Sequence, residues 1–386
     1  MYCGQAVRTA LAIGLANEST SVSAEDQKAA RRTWWCIYSH EIDMSCSSGR
    51  RDSLRKPHNY QVPLPVINDQ VVDAPDPTKS ENKTVAMINE MVHFAAILRR
   101  ISKELYHDAK GLTLLQKSMI AKELDDLLSD WKSNLPEWLD FSRTSFREEE
   151  WAGKQKLVLH LRYLNARILA HRLFLAPRTN DSQVDMSDHV SLCLDAARET
   201  IQVLYVAYAH RHYFRTWWYN STYTLYAGMI VLYVVMLRAT ALCSEDLLND
   251  VLKAQSILES MQEATVALRS AELLREGLEI ARSCSDTAFT LPFDGSRANQ
   301  ANGEPRTRPD TQDLTPNPDH YISQTAFAPH GYGTDPGPLF ASLIDPGLLQ
   351  DFTTGLNTLA DLDTSSFLFD NSYGTWPGED PTSTLL

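Results

Sequence analysis

From residue 1 to about residue 285, apolar side chains recur at intervals of three and four, the spacing that lines them along one face of an α-helix. Strand-like runs are few. The chain is therefore expected to be all-α, a multi-helix domain over 1–290. The first helix presents Val7, Ala10, Leu11, Gly14 and Leu15 on one face. A second has Ser23 as its N-cap and Glu25 and Asp26 in its first turn, and runs through Trp34, Trp35 and Tyr38 to a stop at Gly49. Pro57, Pro63, Pro65, Pro75 and Pro77 then forbid a continuous helix over 50–78, so that stretch should lie extended across the helical body. Helical spacing resumes over 85–107, then over 114–135 with Thr113 as N-cap and Pro136 as the stop. Further helices are expected over 154–175, 188–209, 219–243, 245–260 and 264–284, with Ser244 capping the segment at Glu245 and Asp246. No period of repetition is evident, which disfavours a solenoid.

Residues 216–237 carry no charge between Arg215 and Arg238. A membrane span needs about 20 predominantly apolar residues. Asn220, Ser221, Thr222 and Thr224 interrupt this one, and only 225–237 is strongly apolar, so it reads as a buried central helix with no membrane partner.

Beyond Leu291 the composition changes: 11 of the 18 prolines and 9 of the 16 glycines fall there, and Lys is absent. Such a segment buries too little apolar surface to fold, so 291–386 is expected to be a disordered acidic tail. Of the net charge of −13, nine negative charges lie beyond residue 316 with no Lys or Arg among them. They alternate with apolar residues, among which Phe340, Leu348, Leu349, Phe352 and Phe367 are the candidates to insert into a partner's groove as an activation segment. The acidic balance argues against a free-standing nucleic-acid binder, because phosphate affinity needs clustered Lys and Arg. Cys3, Cys36, Cys46, Cys193, Cys243 and Cys284 form no C-x-x-C and no zinc-ribbon spacing, and read as reduced, mostly buried thiols. The first residues lack the pattern of a secretory signal, which makes the cell interior the default.

No catalytic residue is singled out. The sharpest enzymatic candidate is Asp125, Asp126 and Asp130 in DDLLSD, an arrangement with which an all-helical metal-dependent synthase holds magnesium against a prenyl diphosphate. Its second motif is incomplete: Asn249 and Asp250 are present, but Lys253 puts a cation where a ligand is needed. A solvated acidic helix face is the alternative. His210 and His212 lack further ligands, and His160 and His171 read as packing or interhelical hydrogen-bonding residues. Arg50, Arg51, Arg55 and Lys56, with Glu41, Asp43 and Asp52 nearby, read as a salt-bridged turn. Adjacent tryptophans on a helix point about 100° apart, so one of each pair Trp34–Trp35 and Trp217–Trp218 is expected in the core and the other beside it. There is no G-x-S-x-G or Walker sequence, and GYGTDPG, with Gly331, Gly333 and Gly337, sits among prolines with no strand before it.

The order of these signals resembles a known family. GQAVRTALAIGLA at 4–16 is similar to the first helix of the regulatory middle-homology domain of fungal zinc binuclear cluster transcription factors, with Ile13, Gly14 and Leu15 closing it. ARRTWWCIYSHEIDMSCSSGRR resembles that domain's next stretch through Arg31, Arg32, Trp34, Trp35, Tyr38, Asp43, Gly49 and Arg50. Only Thr33 separates the Arg pair from the Trp pair, and Arg51 stands where the family has Pro. VPLP at 62–65 follows, then WKSNLP with Trp131, Leu135 and Pro136, then LRYLNARILAHRLFL with His171, Arg172 and Leu175. The likeness runs over about 4–241 and marks packing residues, with no catalytic chemistry.

The resemblance implies a transcription regulator acting in the nucleus on a metabolic or biosynthetic gene set, and no enzyme. It implies coactivators as partners of the acidic tail, a homodimer and a small-molecule effector of unknown identity. The family's six-cysteine zinc cluster is absent from this sequence. Zinc is therefore expected only in that missing N-terminal cluster, no cofactor in this chain, and DNA contact only through the missing domain. Met1 falls within what should be the middle of the regulatory domain, so the expectation is either a truncated reading frame or a protein that regulates without touching DNA itself.

Overall fold

The structure, a computed structural model, describes residues 2–18, 23–68, 80–143, 148–175, 186–210, 219–237, 244–261 and 265–289. The expected acidic tail, with Phe340, Leu348, Leu349, Phe352 and Phe367, lies outside the described residues, as do His212 and the pair Trp217–Trp218. Within them the all-α expectation is borne out. The helices are α1 (Tyr2–Ala12), α2 (Ala24–Ser47), α3 (Ala86–Arg100), α4 (Leu114–Ser133), α5 (Glu150–His171), α6 (Ser187–His210), α7 (Tyr219–Leu237), α8 (Ser244–Ser260) and α9 (Thr265–Phe289). The one sheet among the described residues pairs β1 (Val66–Ile67) in parallel with β2 (Ser80–Glu81).

Local chemistry sets the helix ends. Ser23 Oγ accepts from the Asp26 amide at the start of α2, and Gly49, at φ +64°, takes the left-handed conformation that stops it. Thr113 and Gln116 form a reciprocal capping box on α4. Ser244 is the first residue of α8 rather than the residue before it. α1 is shorter than its apolar run suggests. Gly14, at φ +81°, turns the chain, so Val7 and Ala10 are buried while Leu11 is 45% exposed and Ile13 68%. α3 continues as a π-helical segment over Ile101–His107, an irregularity that re-aims a helix without ending it.

α3 has two working faces. Ile88, Val92 and Ala95, at i, i+4 and i+7, join Ala10, Trp34, Trp35, Tyr38, Ile42 and Val62 in a smaller core. Met87, Met91, Phe94 and Leu98 repeat the spacing one residue earlier and belong to the larger core shared by α4 to α9. α7 lies at the centre of that core, packed on α6, α8 and α9. No helix among the described residues is long and apolar enough to cross a membrane. Of the buried polar side chains that interrupt α7, Thr224 Oγ1 donates to the Asn220 carbonyl at 2.6 Å and Asn220 Nδ2 to the Tyr208 hydroxyl of α6 at 3.5 Å. Glycine lets α9 approach, since a Cβ at Gly277 would fall 2.2 Å from Leu232 Cδ2.

Candidate functional site

The smaller core is built around α2. Trp34 and Trp35 are 0% and 2% exposed, which corrects the expectation that one would only flank the core. The cause is the proline-rich return. Val62 is buried against the helix, Pro63 offers its carbonyl to Trp35 Nε1 at 3.0 Å, and Tyr60 meets Trp34 edge-on at 4.8 Å between ring centroids, so a second wall covers the face that would otherwise meet water. Tyr38 donates to the Arg55 carbonyl at 3.0 Å and accepts from Arg99 Nη1 at 2.9 Å, while Arg99 also clasps the Asp52 carboxylate. α2, the return and α3 are thus tied by one network.

The charged residues of this region are spent on such ties. Arg31 pairs with Glu18 and Arg32 with Glu81 at 2.8 Å, fixing the turn after α1 and strand β2 to α2. Arg50 holds Glu41 through two hydrogen bonds at 2.9 and 3.1 Å. Burial would raise the Glu41 carboxyl, but Arg50, Cys3 and Ser45 outweigh it and hold the group below the usual carboxylate range. Arg51 reaches Asp108. Of the basic cluster, Arg50 and Arg51 are salt-bridged, while Asp43 and Asp52 find partners elsewhere. Asp43 meets Arg162 of α5 at 2.9 Å with both side chains 8% exposed, joining the two cores. Burial works against the Arg162 charge; Asp43, Tyr223 and Tyr219 more than compensate and raise it. Trp131 is buried against Phe94 at 5.1 Å, Leu135 is buried, and Pro136, just past α4, accepts from the Leu139 amide at 2.8 Å. Cys193 is buried, whereas Cys3, Cys36 and Cys46 are half-buried.

The acidic motif on α4 does not form a metal centre. Asp125 accepts from Arg167 Nε and Nη2 at 2.7 and 2.9 Å. Burial raises its carboxyl, but the neighbouring His171 and the hydrogen bonds from Arg167 outweigh this and hold it well below the usual carboxylate range. Asp125 is thus paired rather than solvated, while Asp126 and Asp130 remain exposed. Asp250 is bound by Arg198 at 2.6 Å and Lys253 at 3.0 Å. Asp125 and Asp250, one from each half of the synthase-like motif, are neutralised by their own cations, and among the described residues no group of His, Cys, Asp and Glu is placed to hold a metal.

His160 bonds Glu199 of α6 at 2.9 Å and stacks on Phe141. His171 Nδ1 lies 2.8 Å from His189 Nδ1, so both act as interhelical hydrogen-bonding residues. Sequence reasoning missed Arg99, Arg162, Arg167 and His189. The usable signal was a charge inside an apolar helical run, as at Arg162 in LHLRYL, since a buried charge demands a partner.

The family comparison falls on this same region. Residues 1–140 match the fungal specific transcription factor domain. The resemblance read from the signature residues is borne out. The matched stretch takes in α1 to α4, the proline-rich return and the Trp131–Pro136 turn. The acetamidase regulatory protein of Aspergillus fumigatus is 24% identical over 233 residues, covering 59% of this chain and 28% of that protein. Transcription factor FBD3 of Fusarium pseudograminearum is 25% identical over 263 residues, 59% of this chain and 34% of that protein. An uncharacterized transcriptional regulatory protein of Schizosaccharomyces pombe is 25% identical over 292 residues, reaching 74% of this chain and 33% of its own length. The chain spans about a third or less of the curated relatives it matches. No solved structure matches.

Proposed function

We propose that this chain is the regulatory part of a fungal transcription regulator, with a helical body over 1–290 and an acidic activation tail over 291–386. The observation that carries the reading is the domain match over residues 1–140, which falls on the elements tied together by Trp34, Trp35, Asp43 and Arg50. The relatives carry names of transcriptional regulators, which supports a role without catalysis and action in the nucleus. One is named for regulating an acetamidase, in keeping with a metabolic or biosynthetic gene set here. On this proposal coactivators bind the tail, a homodimer and an effector act on the body, and DNA is read by a zinc cluster that this sequence does not contain.

Transcript profiling tests the proposal. Deleting the encoding gene in its host should change a discrete set of transcripts, restored by re-expressing the chain in its native context. An unchanged transcriptome under nutrient shift and stationary growth would contradict it.

A further inference from the structure

α4, α5 and α6 are joined by a buried line of hydrogen bonds outside the domain's aromatic core. Ser118 Oγ on α4 lies 2.7 Å from His189 Nε2 on α6, and His189 Nδ1 lies 2.8 Å from His171 Nδ1 at the end of α5. His171 and His189 are 0% and 1% exposed, and Phe174 stacks on the His189 ring at 4.0 Å. His171 Nε2 faces Asp125 Oδ1 at 3.5 Å, with Arg167 behind that carboxylate. On the other side Lys122 of α4 approaches Asp188, the residue before His189, at 3.3 Å. A cavity of about 400 Å³ lined by Lys122, Asp125, Asp126, His171 and Asp188 borders the His171 end of the pair.

Two imidazole nitrogens 2.8 Å apart have room for one proton between them. In the neutral pair one ring donates and the other accepts. His171 Nε2 faces the Asp125 carboxylate, whereas both ring nitrogens of His189 are taken up, Nε2 by Ser118 and Nδ1 by His171. With the shared hydrogen on His171, its Nδ1–H donates to His189 Nδ1, and His189 Nε2–H donates to Ser118 Oγ. A proton taken up by His189 would have to bind Nδ1. That would place an N–H on each side of the gap and break the Nδ1···Nδ1 hydrogen bond.

We propose that the His171–His189 pair is a proton-operated latch that clamps the first turns of α6 to α4 and α5 and opens when His189 takes up a proton. The electrostatics agree: burial, then His171 and Lys122, push His189 down to about 4, against smaller opposing effects of Asp188 and Asp125.

Hydrogen exchange on the full chain tests the latch. Peptides covering residues 187–195 should exchange at least about tenfold faster, after correction for intrinsic rates, as pH falls from 6.5 to 4.5, while peptides of α8 stay protected. His189→Asn, which cannot take up a proton, should remove that step. An identical rise in His189→Asn, or no rise localised to α6 in the wild-type chain, would overturn the proposal. Should the variant fail to fold, ring-nitrogen NMR of the wild-type chain decides: His189 taking up its proton near pH 4 supports the latch, and His189 titrating at its ordinary value of about 6.5 refutes it.

Discussion

Conservative replacement of the two core tryptophans separates packing from hydrogen bonding. Both indoles are buried, but only Trp35 Nε1 donates, to the Pro63 carbonyl at 3.0 Å; Trp34 Nε1 is buried without an acceptor among the described residues. Changing either to Phe removes a similar patch of apolar surface, worth about 1 kcal/mol. At Trp34 the change also removes an unsatisfied N–H, which offsets part of that loss. At Trp35 it strands a carbonyl, adding about 1–3 kcal/mol. Trp35→Phe should therefore destabilise the chain by about 1–3 kcal/mol more than Trp34→Phe, while either change to Ala should cost about 3–5 kcal/mol. Urea unfolding followed by far-ultraviolet circular dichroism reads these differences without depending on tryptophan fluorescence. Equal losses for the two Phe variants would show that the Pro63 contact contributes nothing, and negligible losses for both Ala variants would show that the pair faces solvent.

Other expectations follow from the charges. Asp43→Asn should cost about 3–5 kcal/mol by leaving buried Arg162 without a carboxylate, and a joint replacement of Asp43 with Leu and Arg162 with Met should recover much of that in the same unfolding assay. Because burial holds neutral His189 at about 4, below its unfolded value, the stabilisation from keeping it uncharged is complete above about pH 6.5 and is lost as pH falls toward 4. His40, also lowered by burial, acts in the same direction; His93, raised by donating a hydrogen bond to Glu90, opposes them from a largely exposed position. Thermal melts should therefore fall across pH 6.5 to 4, and His189→Asn should flatten that slope. The purified chain, at net charge −13, should bind duplex DNA only nonspecifically; salt-resistant nanomolar binding to one sequence would refute this.

The helices were legible because their signals are local. Ser23, Gly49 and Thr113 act within one turn of themselves, and the apolar spacing of α3 to α9 repeats within each segment. What escaped depends on residues far apart in the chain. Trp34 and Trp35 are both buried only because 54–65 returns across α2, and Asp125 is neutralised by Arg167, 42 positions later. Periodicity on one helix cannot reveal a second wall or an ion pair of that separation. The signature residues were legible as a set, but the reason for each emerged from contacts: Asp43 matters as the partner of Arg162, and Gly49 as the left-handed stop of α2.

The most direct measurement is a tethered reporter assay with the full chain fused to a foreign DNA-binding domain. The fusion should give a reproducible change in reporter output, and any activation should be lost when Phe340, Leu348, Leu349, Phe352 and Phe367 are replaced together by Ser with protein level held constant. Output indistinguishable from the DNA-binding domain alone would contradict the regulatory reading, and activation that survives the five replacements would contradict insertion of the tail into a coactivator groove.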